Sequence, residues 1–451
     1  MKFRNAVICL IAAGAAGCGP ANVGDIDSVE GLENKPDLLS MKQGAVLLNN
    51  TGSWEGFSGL QLFDDCNWTA WNSAKGKPLN NTFDIELQSP CRITDIVVNN
   101  EKDRATIFPE NQVKTFRVMA SADSPVSGYE QLAEVKLNKW SLKRLTFKPK
   151  ADSRPYKWLR FILVDNWGSE DATVLDEIQA YGDRVDDSAG ITKPGFKSGV
   201  FNGDWSTMKF ATDGSTLFGR FCKRYEANLD MLGSIRGNQA RVFMPFVGTP
   251  AVALMTQSAD GNVVNISNYY RSEGMPKDSN LFAIQMREKS PSCKEEPIKS
   301  AEELIAKYLE RYHKAILYGI DFKPDSAELT SDSDATLNAI VALLKSQPKL
   351  RLSVEAHNGW TDSNSFANFE LNFKDDSVKP HIKLSEARAQ TVVDWLCNHK
   401  VERSRLKTKG WGKEKPVFKD SLITPSQSII MNRRVELIPL ESSGKAVKPS
   451  F

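Results

Sequence analysis

Histidine is scarce in this chain, 4 in 451 residues, and no two stand in an H-E-x-x-H arrangement. A G-x-S-x-G nucleophile elbow and a G-x-x-x-x-G-K-[ST] phosphate loop are also missing. Carboxylates are plentiful, but no spacing singles out a glycosidase-like couple, so the chain reads as a non-enzyme. An excess of one sign of charge is lacking too. The 58 Lys and Arg face 56 Asp and Glu, and a net charge of +2 makes no overall case for binding nucleic acid. The one long apolar run, Ala6 to Ala16, is about half of what a membrane-spanning helix needs, which excludes a polytopic membrane protein. None of the 7 cysteines shows CxxC or Cys/His metal spacing. Ordinary glycine and proline contents, 29 and 21, exclude collagen-like or wholly disordered material. What remains is a chain long enough for about two to four domains.

Lys2 and Arg4 precede the apolar run, and Ala15-Ala16-Gly17-Cys18 leaves it. A basic start, a short apolar stretch and a small-residue exit read as a secretory signal. The cysteine at the exit resembles a bacterial lipobox, with Ala15 where leucine is usual. The resemblance implies removal of residues 1–17, lipid on Cys18 and, with several acyl chains, stable anchoring. The alternative is a plain signal whose cysteine is incidental. Gly19-Pro20, with no acidic residue after the cysteine, resembles lipoproteins sent to the outer membrane, so the expected location is lipid-anchored there and mainly periplasmic. Residues 18–44 are expected to form a polar tether. In an exported chain the local cysteine pairs Cys66–Cys91 and Cys222–Cys293 are expected disulfides, leaving Cys397 as a buried thiol on a helix.

Residues 45–185 carry short alternating strands, at 82–87, 93–99, 113–120, 142–147, 158–164 and 174–181, with regular turn signals between them. This predicts an antiparallel β-sandwich. LFDDCNWTAW (62–71), CRITDIVV (91–98), VKTFRVMAS (113–121), KWLRFIL (157–163) and LDEIQAYG (175–182) resemble the discoidin, or F5/8 type C, domain. The resemblance implies a galactose-binding-like jelly roll with Trp71 in its core. It also implies a structural calcium at Asp64, Asp65, Thr69 and Glu177, against the plainer reading of a solvated turn. Loop aromatics Trp54, Trp68 and Trp167, with Asn166, are candidate glycan contacts. No other cofactor is expected.

Residues 195–295 alternate apolar and polar residues around glycine turns and predict a β-rich module of unknown role.

After Lys299 the pattern changes. Helical stripes at 301–315, 332–346 and 384–399 alternate with strands at 316–322, 350–356, 406–411 and 434–438, which predicts an α/β sandwich over 300–440, followed by a basic tail at 441–451. YGIDFKPDSAEL (318–329), LRLSVEAHNGWTD (350–362), LSEARAQTVVDWL (384–396), RLKTKGWGKEKPV (405–417) and NRRVEL (432–437) resemble the OmpA-like peptidoglycan-binding domain of peptidoglycan-associated lipoproteins and motor stators. The resemblance implies that Arg388 holds a stem-peptide carboxylate and that a loop aspartate, Asp362 if Asn358-Gly359-Trp360 is an insertion, holds its amino end. His381 stands where the family has asparagine, and Arg433 is a further contact candidate beside Arg434. From His381 to the end, 14 Lys and Arg against 7 Asp and Glu suit a wall rich in carboxylates.

The leading expectation is a non-enzymatic outer-membrane lipoprotein that anchors the envelope to peptidoglycan by binding its stem peptide. The alternatives are a scaffold component of an envelope machine whose β domains bind protein partners, and a surface glycan-binding lipoprotein.

Overall fold

The computed structural model describes residues 24–449 apart from 27–28, 33–34, 55–57, 65–68, 101–107, 149–153, 186–195, 204–205, 224–227, 247–248, 271–281, 289–297, 324–325, 359–377, 418–431 and 442. Three modules follow one another, a β-sandwich, a β-barrel and an α/β sandwich.

The sandwich is built from β1 (Gly24–Ile26), β2 (Val46–Asn50), β3 (Trp71–Asn72), β4 (Asn81–Asn99), β5 (Val113–Ser121), β6 (Glu130–Lys136), β7 (Leu142–Thr146), β8 (Tyr156–Asn166), β9 (Val174–Leu175) and β10 (Glu177–Arg184). The two strands expected at 82–87 and 93–99 are one long strand. The first part of β4 pairs with β2 and β8, and its second part pairs with β7 and β10, with a register break between Glu86 and Cys91. Pro90, which cannot donate to a ladder, falls in that break, where it interrupts no pairing. One strand thereby serves both layers. Trp71, Phe63, Phe83, Phe116 and Phe161 fill the space between them in edge-on and stacked pairs.

Part of the expected tether belongs to this module. Residues 24–26 pair with β7, and Leu38, Leu39 and Met41 are buried in the core. The Cys66–Cys91 pairing does not form. Cys91 is a free thiol, buried on β4, where it donates to Ser89 O at 3.2 Å, and burial raises its pKa. Cys222 is disulfide-bonded, while its expected partner Cys293 lies outside the described residues. Cys397 is free and half-buried rather than fully buried. Cys18 and the signal segment also lie outside the described residues.

The middle module is a closed antiparallel meander of β11 (Gly199–Asn202), β12 (Ser206–Asp213), β13 (Thr216–Lys223), β14 (Leu229–Arg236), β15 (Gln239–Phe246), β16 (Thr249–Gln257), β17 (Val263–Tyr270) and β18 (Phe282–Glu288), with β11 closing on β18. Its tight turns place Gly214 and Gly237 at φ +55° and +60°, the left-handed backbone that two-residue hairpins demand. Strand alternation sends Met208, Phe210, Leu217, Phe221, Met231, Val242, Met255 and Ile266 inward to a filled interior. The opposite parity gives Phe218, Leu232, Phe243 and Val252, directly paired across β13 to β16 as one apolar row on the outer wall. A barrel that buries part of its outside is built to be packed against.

The C-terminal module runs α1 (Ala301–Tyr312), β19 (Ala315–Leu317), α2 (Asp334–Ser346), β20 (Leu352–His357), α3 (Val378–Asn398), β21 (Leu406–Gly412) and β22 (Arg434–Pro439), with sheet order β19-β22-β20-β21. Ser300 caps α1 by accepting from Glu303 N at 3.2 Å, and His313 at φ +54° ends it. The expected strand at 316–322 is shorter than its pattern suggests, since only 315–317 pairs with β22. Val354 and Ala356 of β20, Val435 and Leu437 of β22 and Leu337, Ile340 and Leu344 of α2 meet Ala389, Val392, Val393 and Leu396 of α3 in one core.

That core continues through the barrel's outer row into the sandwich. On the sandwich side, Asn238 Nδ2 donates to Gly44 O at 2.8 Å and Gln239 Nε2 donates to Met41 O at 2.8 Å. The fully buried Asn265 amide, oriented to suit its neighbours, accepts from Leu47 N at 2.6 Å and donates to Leu47 O at 3.2 Å, as a neighbouring strand would. On the other side, Tyr308 of α1 packs edge-on against Phe243, 5.8 Å between centroids, and donates to Asp230 O at 2.8 Å. Arg241 lies 4.5 Å over the Tyr318 ring and donates to Tyr318 O at 3.1 Å. Asp321 faces both Arg236 and Arg241, at 3.6 and 3.8 Å.

Candidate functional sites

Arg388 sits on α3 and is 1% exposed. Its Nε donates to Ser326 O at 3.0 Å, one Nη donates to Asn358 Oδ1 at 2.9 Å, and its guanidinium lies 5.2 Å from the Phe322 ring centre. Asn358, itself 2% exposed, donates to His381 O at 2.9 Å. Arg433 donates to Phe322 O at 2.5 Å, on the same turn. Arg388 and Arg433, with the main-chain carbonyl of His381, are therefore gathered around one turn and the end of β20. Asp362 lies outside the described residues.

Sequence reasoning passed over Asn358. Taken as inserted, it is instead the buried link between β20 and α3. The available signal was its place as the first residue past a buried strand, where an amide can serve both neighbours at once.

Helix α3 is held against β21 at one close point. A Cβ at Gly410 would fall 2.3 Å from Glu386 N, and Ser385 Oγ accepts from Gly412 N at 2.8 Å. This contact sets the helix height and so where Arg388 stands.

Beside this site, Glu355, His357 and Glu436 are buried with their ligand atoms within 4.8 Å of one another. An imidazole and two carboxylates have the donors to chelate a metal. They are not the oxygen cage that calcium prefers. Arg434 also lies 2.6 Å from Glu436, and Lys314 lies 3.5 Å from it. Trp411 Nε1 donates to Glu355. Arg434 and Lys314 both face Glu436, while Glu355 meets only neutral donors, and the two cations weaken the attraction of the cluster for a divalent ion. Burial and Arg434 together lower the His357 pKa to about 4, so the ring is neutral at pH 7. Burial alone would raise Glu436, but Arg434, His357 and Lys314 outweigh it and hold the carboxyl well below its ordinary value.

In the sandwich, Thr69 Oγ1 donates to Asp64, 3.0 Å from each carboxylate oxygen, and Glu177 is buried on β10. Asp65 and Trp68 lie outside the described residues. Trp71 is fully buried in the core, as the family resemblance implies. Asn166 is committed within its own loop: Nδ2 donates to Ser169 O, Ala172 O and Thr173 Oγ1, and Oδ1 accepts from Gly168 N. It braces the loop on which Trp167 stands half-buried. Trp54 is 41% exposed, with Lys75 5.9 Å from its ring centre.

Residues 321–428 match the OmpA family. The C-terminal module is OmpA-like. A protein of Escherichia coli (strain K12), "Probable lipoprotein YiaD", is 30% identical over 118 residues, 26% of this chain. The chain spans about half the length of that curated relative, 46%. OmpA-like modules are typically non-catalytic, in keeping with a binding protein rather than an enzyme. Residues 70–184 match the Sad1 / UNC-like C-terminal family, which narrows the expectation for that stretch to a β-sandwich, not specifically a discoidin domain.

Among solved structures, a chitobiase fragment from Bacteroides thetaiotaomicron is 17% identical and covers 35% of this chain and 98% of its own, with a TM-score of 0.29. The galactose-bound family 32 module of NanJ from C. perfringens is 13% identical over 31% and 95% of the two chains, with a TM-score of 0.26. A MotB-like protein from Desulfovibrio vulgaris is 24% identical over 26% and 65%, with a TM-score of 0.21. Among the described residues no helix is long and apolar enough to cross a membrane.

Proposed function

We propose that the protein is a non-enzymatic scaffold of the bacterial cell envelope, lipid-anchored at Cys18. In this reading the OmpA-like module and the sandwich each present a binding surface, and the barrel holds the two in fixed relation. The observation that carries the reading is the barrel's outer row, Phe218, Leu232, Phe243 and Val252, which joins both neighbours in one core and is flanked by buried hydrogen bonds on either side. A spacer needed only for reach would be served by a flexible linker. A fixed relation between two surfaces suits partners that must be held together in register. The OmpA family match and the lipoprotein relative support the envelope setting. Affinity capture of the full chain from detergent-solubilised envelopes tests the reading. A stoichiometric complex that survives washing is expected, and recovery of the chain alone under conditions that preserve known envelope complexes would remove it.

The second reading, favoured by the gathering of Arg388 and Arg433 around one turn, is a stem-peptide anchor. The planar fork of Arg388 suits a carboxylate, and membrane tethering lets a modest affinity suffice. Titration of the full chain with a diaminopimelate-containing stem peptide checks it. Arg388→Lys, which keeps the charge but loses the fork, should weaken binding at least about tenfold, and Asp362→Ala should do likewise.

A further inference from the structure

One end of the sandwich carries an arrangement that the scaffold reading does not use. The Nζ atoms of Lys114, Lys136 and Lys139 stand 5.8, 5.6 and 5.2 Å from the centre of the Trp167 ring. By that geometry the three ammonium groups lie within about 11 Å of one another, close enough to face one polyanionic ligand together. Among the described residues, Asp165 is the acid that pairs with the group, 3.5 Å from Lys114, and it leaves the three amines with a net positive charge. Lys136 and Lys139 are exposed.

The loops bearing this group are fixed from beneath. Gln112, 1% exposed, accepts from Trp167 N at its main-chain oxygen (3.2 Å) and from Trp140 N at its side-chain oxygen (2.8 Å). Its Nε2 donates to Asn100 O at 3.1 Å. One buried amide thus ties two tryptophan loops together. Trp140 is held at φ +54°, a left-handed conformation that a bulky side chain rarely adopts. Strain of this kind persists only where surrounding structure enforces it, and it gathers at binding sites. The Trp167 Nε1–H is buried and meets no acceptor among the described residues, so the polar edge of the indole turns inward.

From this pinned indole ringed by three amines, we propose that the Trp167 end of the sandwich binds an acidic polysaccharide. The C–H face of a pyranose ring stacks on the indole, and its carboxylate or phosphate groups meet Lys114, Lys136 and Lys139. The aromatic plane selects a sugar over a flexible acidic peptide, and the amines select a charged sugar over a neutral one. Asn166, a glycan-contact candidate on sequence grounds, acts here as the brace of the Trp167 loop rather than as a ligand contact.

The test is calorimetric titration of the full chain in detergent with oligogalacturonate, its methyl-esterified neutral form, and polyglutamate of equal charge. Saturable binding of oligogalacturonate is expected, with the neutral form and polyglutamate at least about tenfold weaker. Lys136→Glu/Lys139→Glu, two exposed positions where folding is not at stake, should abolish binding, and Trp167→Ala should weaken it about tenfold while Trp167→Phe, which keeps an aromatic face, retains most of it. Equal binding of polyglutamate, equal binding of the neutral form, indifference to Trp167→Ala, or no binding of oligogalacturonate at millimolar concentration would each overturn the proposal. None of these results bears on capture of an envelope complex, so this inference and the scaffold reading fail separately.

Discussion

His357 shows how burial decides the behaviour of a single residue in this protein. Burial, with Arg434 beside it, holds it neutral with a pKa of about 4, against 6.5 for the free side chain. As pH falls from 6.5 toward 4, the unfolded chain takes up a proton that the folded chain refuses. The associated stability is complete above pH 6.5 and is lost on acidification, by at most about 1.4 kcal/mol per pH unit. Glu436, whose pKa is depressed, adds its own loss only as pH falls below its ordinary carboxylate range. Glu86 of the sandwich, whose pKa burial raises, gains stability on acidification, so the His357 contribution is read as the difference between the chain with and without the histidine. In urea unfolding of the full chain, the part of the stability that depends on His357 should be about 2 kcal/mol lower at pH 5 than at pH 7. His357→Gln should flatten that dependence, and parallel curves for the two proteins would contradict the assignment.

At the same scale, the sequence disclosed Arg388 because it lies in a recognisable helix motif with a buried period. It did not disclose Asn358, whose role depends on the distant His381 and Arg388 arriving beside it. Nor did it disclose the ion-pair core. Ser353, Glu355 and His357 alternate along β20 as a polar face would, and Arg434 and Glu436 do the same on β22, yet these side chains are buried. Strand alternation marks which residues share a face, but not whether that face meets water.

Among the elements, the junction of α3 with β21 is the most demanding. Gly410 leaves no room for a methyl group against the backbone of α3. Gly410→Ala must push the helix off the sheet and should destabilise the OmpA-like module by about 2 kcal/mol, read as a lower urea midpoint. Because α3 carries Arg388, stem-peptide affinity should fall with it if the second reading holds. The helices and strands of this module were legible from their periods, with ends displaced by a few residues. The sandwich strands were legible too, except that those expected at 82–87 and 93–99 are one strand carried through both layers. The barrel was legible only as strands and turns. Closure depends on β11 finding β18 across the length of the module, and no local pattern encodes that pairing.

For the whole molecule, the row on the barrel's outer wall makes the three modules one body. Phe243→Ala removes the surface on which Tyr308 packs without touching the barrel interior. It should cost about 3–5 kcal/mol and separate a shared thermal transition into two in calorimetry. A single transition with an unchanged midpoint would mean that the row does not couple the modules. The sequence pointed to separate domains in a line, because sequence periodicity reports the inner face of each module far better than the contacts between them.

The rigid coupling is tested most directly by a distance distribution between the two ends. Spin labels at Val126→Cys on the sandwich, which is 81% exposed, and at Glu402→Cys on the OmpA-like module, with Cys397→Ser to remove the half-buried thiol, allow double electron–electron resonance on the full chain. One narrow distance peak, broadened by Phe243→Ala, is the expected result. A broad distribution in the otherwise unaltered chain would contradict the account and return the barrel to the role of a flexible spacer.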